Sequence, residues 1–171
     1  MKFIHTADIH LGAEPDTGSS YTAKRPEELW NSFERLLNIC EEEQTDLLLI
    51  AGDLFHRQPL LRELKELDYL FSRLTHTQVV LIAGNHDYLK STSYYRNYKW
   101  QGPVHMFLSQ KPACMEFKEL GVRIYGLSYE EREITEPLYE KSPSGKKRNS
   151  LHPSGPMAAM KSISRSERTN Y

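Results

Sequence analysis

The chain has 171 residues, 39% of them hydrophobic and 26% charged, which is enough for one domain with a sizeable core and ordinary for a soluble globular protein. No run approaches the roughly 18 apolar residues of a membrane span, and the start MKFIHTADIH lacks the cleavage region of a signal peptide, so a cytoplasmic location is expected. The net charge of −1 is unevenly spread: residues 1–140 hold 15 Lys/Arg against 22 Asp/Glu, whereas residues 141–171 hold seven basic residues and one acidic. An acidic body gives no general attraction for nucleic acid, so affinity for DNA would have to come from particular groups.

The first element is a short apolar run over residues 2–7. Residues 26–43 then place Leu29, Phe33, Leu36, Leu37 and Cys40 on one helical face, with Pro26 suited to the first turn. Residues 46–51, DLLLIA, are apolar after Asp46, as a parallel strand covered on both faces should be. A second helix is predicted to open at Pro59, with Leu60, Leu61, Leu64, Leu67, Leu70, Phe71 and Leu74 along one stripe. Residues 78–83, QVVLIA, give a third strand. Weaker strands are expected at 113–118 and 121–126, with Gly121 at the turn between them.

The β-α-β-α-β order implies right-handed crossovers and brings the carboxyl ends of the three strong strands to one edge of a sheet. Each of those ends carries a polar cluster: Asp8-Ile9-His10, Gly52-Asp53, and Gly84-Asn85-His86-Asp87. Taken singly, Asp8, Asp53 or Asn85 reads as a turn or cap residue. Together, behind three strands, they read as a metal site. Two divalent cations about 3.5–4 Å apart need an anionic ligand between them and neutral ligands around them. Asp53 is the candidate bridge, Asp8 and His10 a chelating pair on one side if strand geometry persists, and Asn85 a neutral amide donor. Mixed oxygen and imidazole ligands suit manganese first, with iron, zinc or magnesium as alternatives.

These motifs, D-x-H, G-D and G-N-H-D, resemble those of the calcineurin-like metallophosphoesterases. Within that superfamily IHTADIHLG, AGDLFH and AGNHD are similar to the SbcD and Mre-type DNA repair nucleases. The resemblance covers residues 1–140 and implies the amino-terminal portion of an αββα sandwich in the α/β class, binding two divalent metals. It implies that Asp8 and His10 hold the first metal, that Asp53 bridges, that Asn85 holds the second, and that His86 is catalytic, stabilising or protonating the leaving oxygen. Asp87 is expected to orient His86, and His56 to support the site or contact substrate. The implied activity is metal-dependent hydrolysis of DNA phosphodiesters, with a homodimer and an SbcC-type ATPase as partners. A phosphoesterase for small nucleotides or phosphoproteins, or an inactive fragment with a partial metal site, are the alternatives.

The chain departs from the family pattern after His86. The later His and G-H-x-H motifs that supply further imidazoles do not occur, and the remaining histidines, His105 and His152, lack the expected neighbours. The second metal would thereby lose most of its ligands. Residues 141–171, rich in Ser, Pro, Gly and basic residues, are expected to be disordered or the product of a disrupted reading frame. The aromatic run YYRNYKW at 94–100 reads as core in preference to a base-stacking platform, and the basic KKR at 146–148 as solvated tail. His5 is expected to pack or hydrogen-bond within the first strand, and Cys40 and Cys114 to be buried thiols, suited to a reducing compartment.

Overall fold

The computed structural model describes residues 1–14, 24–133 and 157–159. Its first half alternates strand and helix: β1 (Phe3–Thr6), α1 (Arg25–Glu42), β2 (Leu47–Ala51), α2 (Leu61–Ser72) and β3 (Gln78–Ile82). A single 3₁₀ turn at Tyr94–Arg96 precedes β4 (Val104–Met106), after which β5 (Ala113–Phe117) and β6 (Val122–Gly126) form a hairpin. β1 to β4 pair in sequence order as a wholly parallel sheet, while β5, β6 and β7 (Met157–Ala159) form a second sheet in which β7 runs parallel to β6.

The central strands β2 and β3 are buried on both faces, and alternation along them divides the core in two. Leu48, Ile50, Val79 and Leu81 face the helices, where they meet Phe33, Leu37 and Cys40 of α1 and Leu64, Leu67 and Phe71 of α2. Leu47, Leu49, Ala51, Val80 and Ile82 face the opposite way, onto Phe107 and onto Val122 and Ile124 of β6. The described residues thus supply a helical layer, a parallel sheet and a second sheet. This is the α/β class, with three successive layers of the expected αββα sandwich. Edge-to-face contact of Phe33 with Phe71, ring centroids 6.0 Å apart, joins the two helices over the sheet.

Several expectations are corrected. α2 starts at Leu61, not Pro59, and Leu60 and Leu61 are exposed, so its buried stripe begins at Leu64. The start is set by Glu63, whose carboxylate accepts from the Leu60 N–H at 2.7 Å as the reciprocal half of a capping box. β4 has no counterpart in the sequence reading; its three residues are too few for periodicity to show, and pairing with β3 creates it. Cys40 is buried but Cys114 lies on the outer face of β5 and is exposed. His5 is likewise exposed on β1. Of residues 141–171 only β7 is described; the rest of the expected tail, including 146–148 and His152, lies outside the described residues.

Tyr95 is 1% exposed and Tyr98 donates its hydroxyl to Asp68, so neither is available to stack a base. Trp100 packs on Phe71. Arg96 is engaged with the carbonyls of Leu89 and Lys90 and with Glu130. Tyr95, Tyr98 and Trp100 therefore lie in or against the core, as the spacing indicated, whereas Tyr94 is 50% exposed.

Candidate metal centre

The strand geometry of β1 ends at Thr6, before the first ligands. Asp8 and His10 both adopt left-handed backbone, φ 54° and 53°, and Asp53 does the same at φ 49°, just after Gly52 at φ 90°. Left-handed backbone costs an L-residue of ordinary chemistry about 1–2 kcal/mol, and Asp is among the side chains that tolerate it best. The cost is carried by a zipper between the two loops. Asp8 N–H donates to Gly52 O at 3.2 Å, His10 N–H to Asp53 O at 2.9 Å, Leu11 N–H to Leu54 O at 2.8 Å, and His56 N–H to Leu11 O at 3.1 Å. Leu11 and Phe55, both 1% exposed, anchor this zipper in the core. Asp8 and His10 are therefore brought together by curled loop backbone, not by the strand alternation expected from the sequence.

The result is compact. Ligand atoms of Asp8, His10 and Asp53 lie within 4.8 Å of one another, and so do those of His10, His56 and His86. Asp53 is 5% exposed, and one of its oxygens accepts from the His86 N–H at 2.8 Å. A carboxylate offers about four acceptor positions, so the remainder are left for cations. Gly84 makes this approach possible: a Cβ there would stand 2.7 Å from Asp53 Cγ and closer still to its Oδ1 and backbone nitrogen. Asn85 is half-buried in the same loop, between two residues whose backbone is tied to Asp53 and Asp87.

The His86 Nδ1 lies 2.9 Å from the carbonyl oxygen of His56. A carbonyl only accepts, so Nδ1 carries the proton and the lone pair of the neutral ring sits on Nε2. This corrects the role expected of Asp87, which does not reach the His86 ring. Asp87 is fully buried and accepts from Gly84 N–H at 2.8 Å, Phe55 N–H at 3.2 Å and the Tyr95 hydroxyl at 3.1 Å. It fastens the β2 and β3 loops to the 3₁₀ turn. Burial pushes its carboxyl up to about 6, against the three hydrogen bonds that favour the charged form. The loop bearing His56 is held separately, by an Arg57–Glu63 ion pair at 2.7 Å and by Gln58 Nε2 donating to Tyr88 O at 2.9 Å.

Burial lowers the pKa of His10, and the nearby His86 and His56 rings act in the same direction against the attraction of Asp53 and Asp8. A neutral imidazole is the form that binds a metal, so this environment prepares His10 as a ligand. The donor set of two carboxylates, imidazoles and an amide fits divalent cations of the manganese, iron or zinc type. Three contributors were not assigned a role from the sequence: Tyr95 as the partner of Asp87, Gly84 as the cradle of Asp53, and Ser128, whose hydroxyl accepts from Ala83 N–H at 2.9 Å and ties the end of β3 to the second sheet. Among them only Gly84, within a recognised motif, could have been found without coordinates.

The family model for calcineurin-like phosphoesterases matches residues 1–142. The chain belongs to that family. Calcineurin-like phosphoesterases are divalent-metal hydrolases, and the carboxylate and imidazole groups gathered here could hold such ions. A relative named uncharacterized metallophosphoesterase YhaO, from Bacillus subtilis, is 34% identical over 149 residues, covering 80% of this chain and 35% of its own length. Proteins named DNA double-strand break repair protein Mre11 are similar over the first part of the chain. That of Archaeoglobus fulgidus is 38% identical over 91 residues, 51% of this chain and 19% of its own, and that of Aeropyrum pernix 36% over 89 residues, 50% and 21%. The structure of nuclease MPE from Pseudomonas putida overlaps 92% of this chain and 59% of its own, with 18% identity and a TM-score of 0.41. This phosphoesterase chain spans about a third or less of the length of these curated relatives. Among its described residues no helix is long and apolar enough to cross a membrane.

Proposed function

We propose that this chain carries the amino-terminal ligand set of a two-metal DNA phosphodiesterase of the SbcD and Mre type, working with manganese. The observation that carries the reading is the convergence of Asp8, His10 and Asp53 within 4.8 Å, with His86 fastened to Asp53 through its own backbone. Similarity to several proteins named for double-strand break repair supports DNA as the substrate. A homodimer and an SbcC-type ATPase partner belong to the same reading by resemblance.

When bound, two divalent ions supply Lewis acidity and activate water near neutral pH. The chain's own residues divide the remaining tasks. Asp53, one oxygen of which is steadied by the His86 N–H, would be the carboxylate shared by the two ions. Asp8 and His10 would hold the first ion, and Asn85 would offer its amide oxygen to the second. The carbonyl of His56 fixes the His86 tautomer, so that Nε2 is the atom that meets the scissile phosphate. Protonated there, His86 offsets charge on the phosphoryl oxygens or passes its proton to the leaving oxygen.

The experiment uses the 171-residue chain with manganese, linear duplex DNA and a simple aryl phosphodiester, beside His86→Gln and Asp53→Asn. Release of nucleotides from DNA by the wild type, lost in both variants, is the expected outcome. Cleavage of the simple ester with DNA left intact would replace this reading with a phosphoesterase for small substrates. If neither substrate is cleaved while calorimetry detects manganese binding, the chain retains part of a metal site without activity.

A further inference from the structure

The geometry points to a second, nitrogen-only cation seat made by His10, His56 and His86, suited to zinc. Their ligand atoms lie within 4.8 Å of one another. The three rings form a near-equilateral triangle, with centroids 5.4 Å apart for His10 and His56, 4.8 Å for His10 and His86, and 5.1 Å for His56 and His86. Zinc–imidazole bonds of about 2.0–2.1 Å meeting at the tetrahedral angle place ligand nitrogens about 3.3–3.4 Å apart. The Nδ1 atoms of His10 and His56 are 3.4 Å apart already. One edge of a tetrahedron is therefore preformed, held without the cation by a hydrogen bond between the rings.

The third corner has its orientation supplied as well. His86 Nδ1–H donates to the His56 carbonyl at 2.9 Å, which leaves the Nε2 lone pair for a metal. A zinc-bound histidine almost always donates its other N–H to a carbonyl, carboxylate or water in this way. His56 thus contributes a ligand through its ring and orients another through its backbone. It is also exposed, whereas His10 and His86 are half-buried, so the seat opens to solvent on the His56 side. Three neutral imidazoles with no carboxylate favour zinc over manganese or magnesium, and three protein ligands leave a fourth position open.

His10 belongs to both ligand sets, so the zinc seat and the first metal position compete for one side chain. Occupancy of the seat also withdraws His86 Nε2. Zinc at this position would silence the hydrolysis proposed above; that consequence rests on the functional reading, whereas the binding does not.

The test titrates the full chain with zinc by calorimetry and with cobalt by visible absorption, in the wild type, Asp53→Asn, His56→Ala and His56→Gln. Asp53→Asn is expected to lose manganese binding yet keep one zinc per chain and the intense visible band of four-coordinate cobalt. Both His56 variants are expected to lose that band and to weaken zinc by more than the about 10–100-fold that follows loss of an outer-shell partner. Circular dichroism checks that they fold. Wild-type zinc affinity and cobalt spectrum in a folded His56 variant, or loss of zinc along with manganese in Asp53→Asn, would overturn the inference. A retained cobalt band in Asp53→Asn beside a wild type that cleaves no DNA would defeat the functional reading alone.

Discussion

Replacing Gly84 by alanine isolates the contact on which the metal centre is built. Gly84 is not in the left-handed region, so the effect is one of space. The added Cβ would lie 2.7 Å from Asp53 Cγ, where ordinary contact begins at 3.4 Å, so the β2 and β3 loops must separate by about 0.7 Å or more. Asp53 has little room to yield, because its carbonyl is held by His10 N–H at 2.9 Å and its carboxylate by His86 N–H at 2.8 Å. Overpacking of this kind costs about 1–3 kcal/mol. Losing the bond to a charged acceptor adds about 1.5–3 kcal/mol if the His86 N–H finds no water. The chain should therefore be destabilised by about 1–3 kcal/mol on urea unfolding, and by about 2.5–6 kcal/mol if the His86 N–H is also left unpaired, with manganese affinity reduced by about 10–100-fold because Asp53, the proposed bridge, is displaced. Gly121→Ala serves as the control. Nothing lies within 4 Å of its Cβ, yet φ is +67°, so it should lose about 1 kcal/mol from backbone strain while binding manganese as the wild type does. A Gly84→Ala chain with wild-type manganese affinity and an unchanged urea midpoint would refute the close-approach argument.

Asp8 is exposed and left-handed, so glycine there relieves backbone cost while removing little packing, and alanine relieves none. Asp8→Gly is expected to unfold at a higher urea concentration than Asp8→Ala, with manganese weakened equally in both; the reverse order of midpoints would contradict the strain assigned to the loop. Asp46 accepts from Lys2 N–H at 2.6 Å and lies 3.0 Å from His76 Nε2, and the backbone hydrogen bond, assisted by His76 and the amino terminus, holds its carboxyl below the ordinary 3.8. A lowered folded pKa contributes stability that is present above the unfolded value and lost as pH falls through the folded one. Asp46→Asn should therefore be less stable than wild type at neutral pH, with the gap closing under acid; a gap that stays constant to low pH would show that the interaction is not one of charge. Finally, burial pushes the Cys40 thiol up to about 11, whereas Cys114 is exposed. A native chain at mildly alkaline pH should titrate one thiol rapidly with a disulfide reagent and the second only in urea, and two fast thiols would show that α1 does not seal its face of the core.

Burial and periodicity explain what could be read without coordinates. β2 is apolar at every position and β3 at every position after Gln78 because both of their faces are covered, and that pattern survives in a bare sequence. The grouping of Asp8, His10 and Asp53 was legible because they stand just beyond such runs in a recurring order. Their backbone was not: an Asp or His in left-handed conformation is chosen by the zipper to the neighbouring loop, a contact across more than forty residues that no local spacing records. The partner of Asp87 was misassigned for the same reason. Adjacency along the chain pointed to His86, but the carboxylate turns inward to Tyr95 and Phe55, while His86 turns to a carbonyl thirty residues away. Short β4 and the start of α2 depended on one neighbouring strand and on the Glu63 side chain.

The zipper between residues 8–11 and 52–56 also has a kinetic meaning. Its hydrogen bonds join segments separated by all of α1 and β2, so none can form until that length of chain has been ordered. Contacts of such separation are made late and slowly in folding, after the closure entropy has been met. A nascent or partly unfolded chain therefore has its aspartates and histidines scattered and can capture a cation only one ligand at a time. Metal uptake becomes a report on completed topology, and a pulse of manganese during refolding should bind at the rate of the slowest strand docking, not at the rate of diffusion.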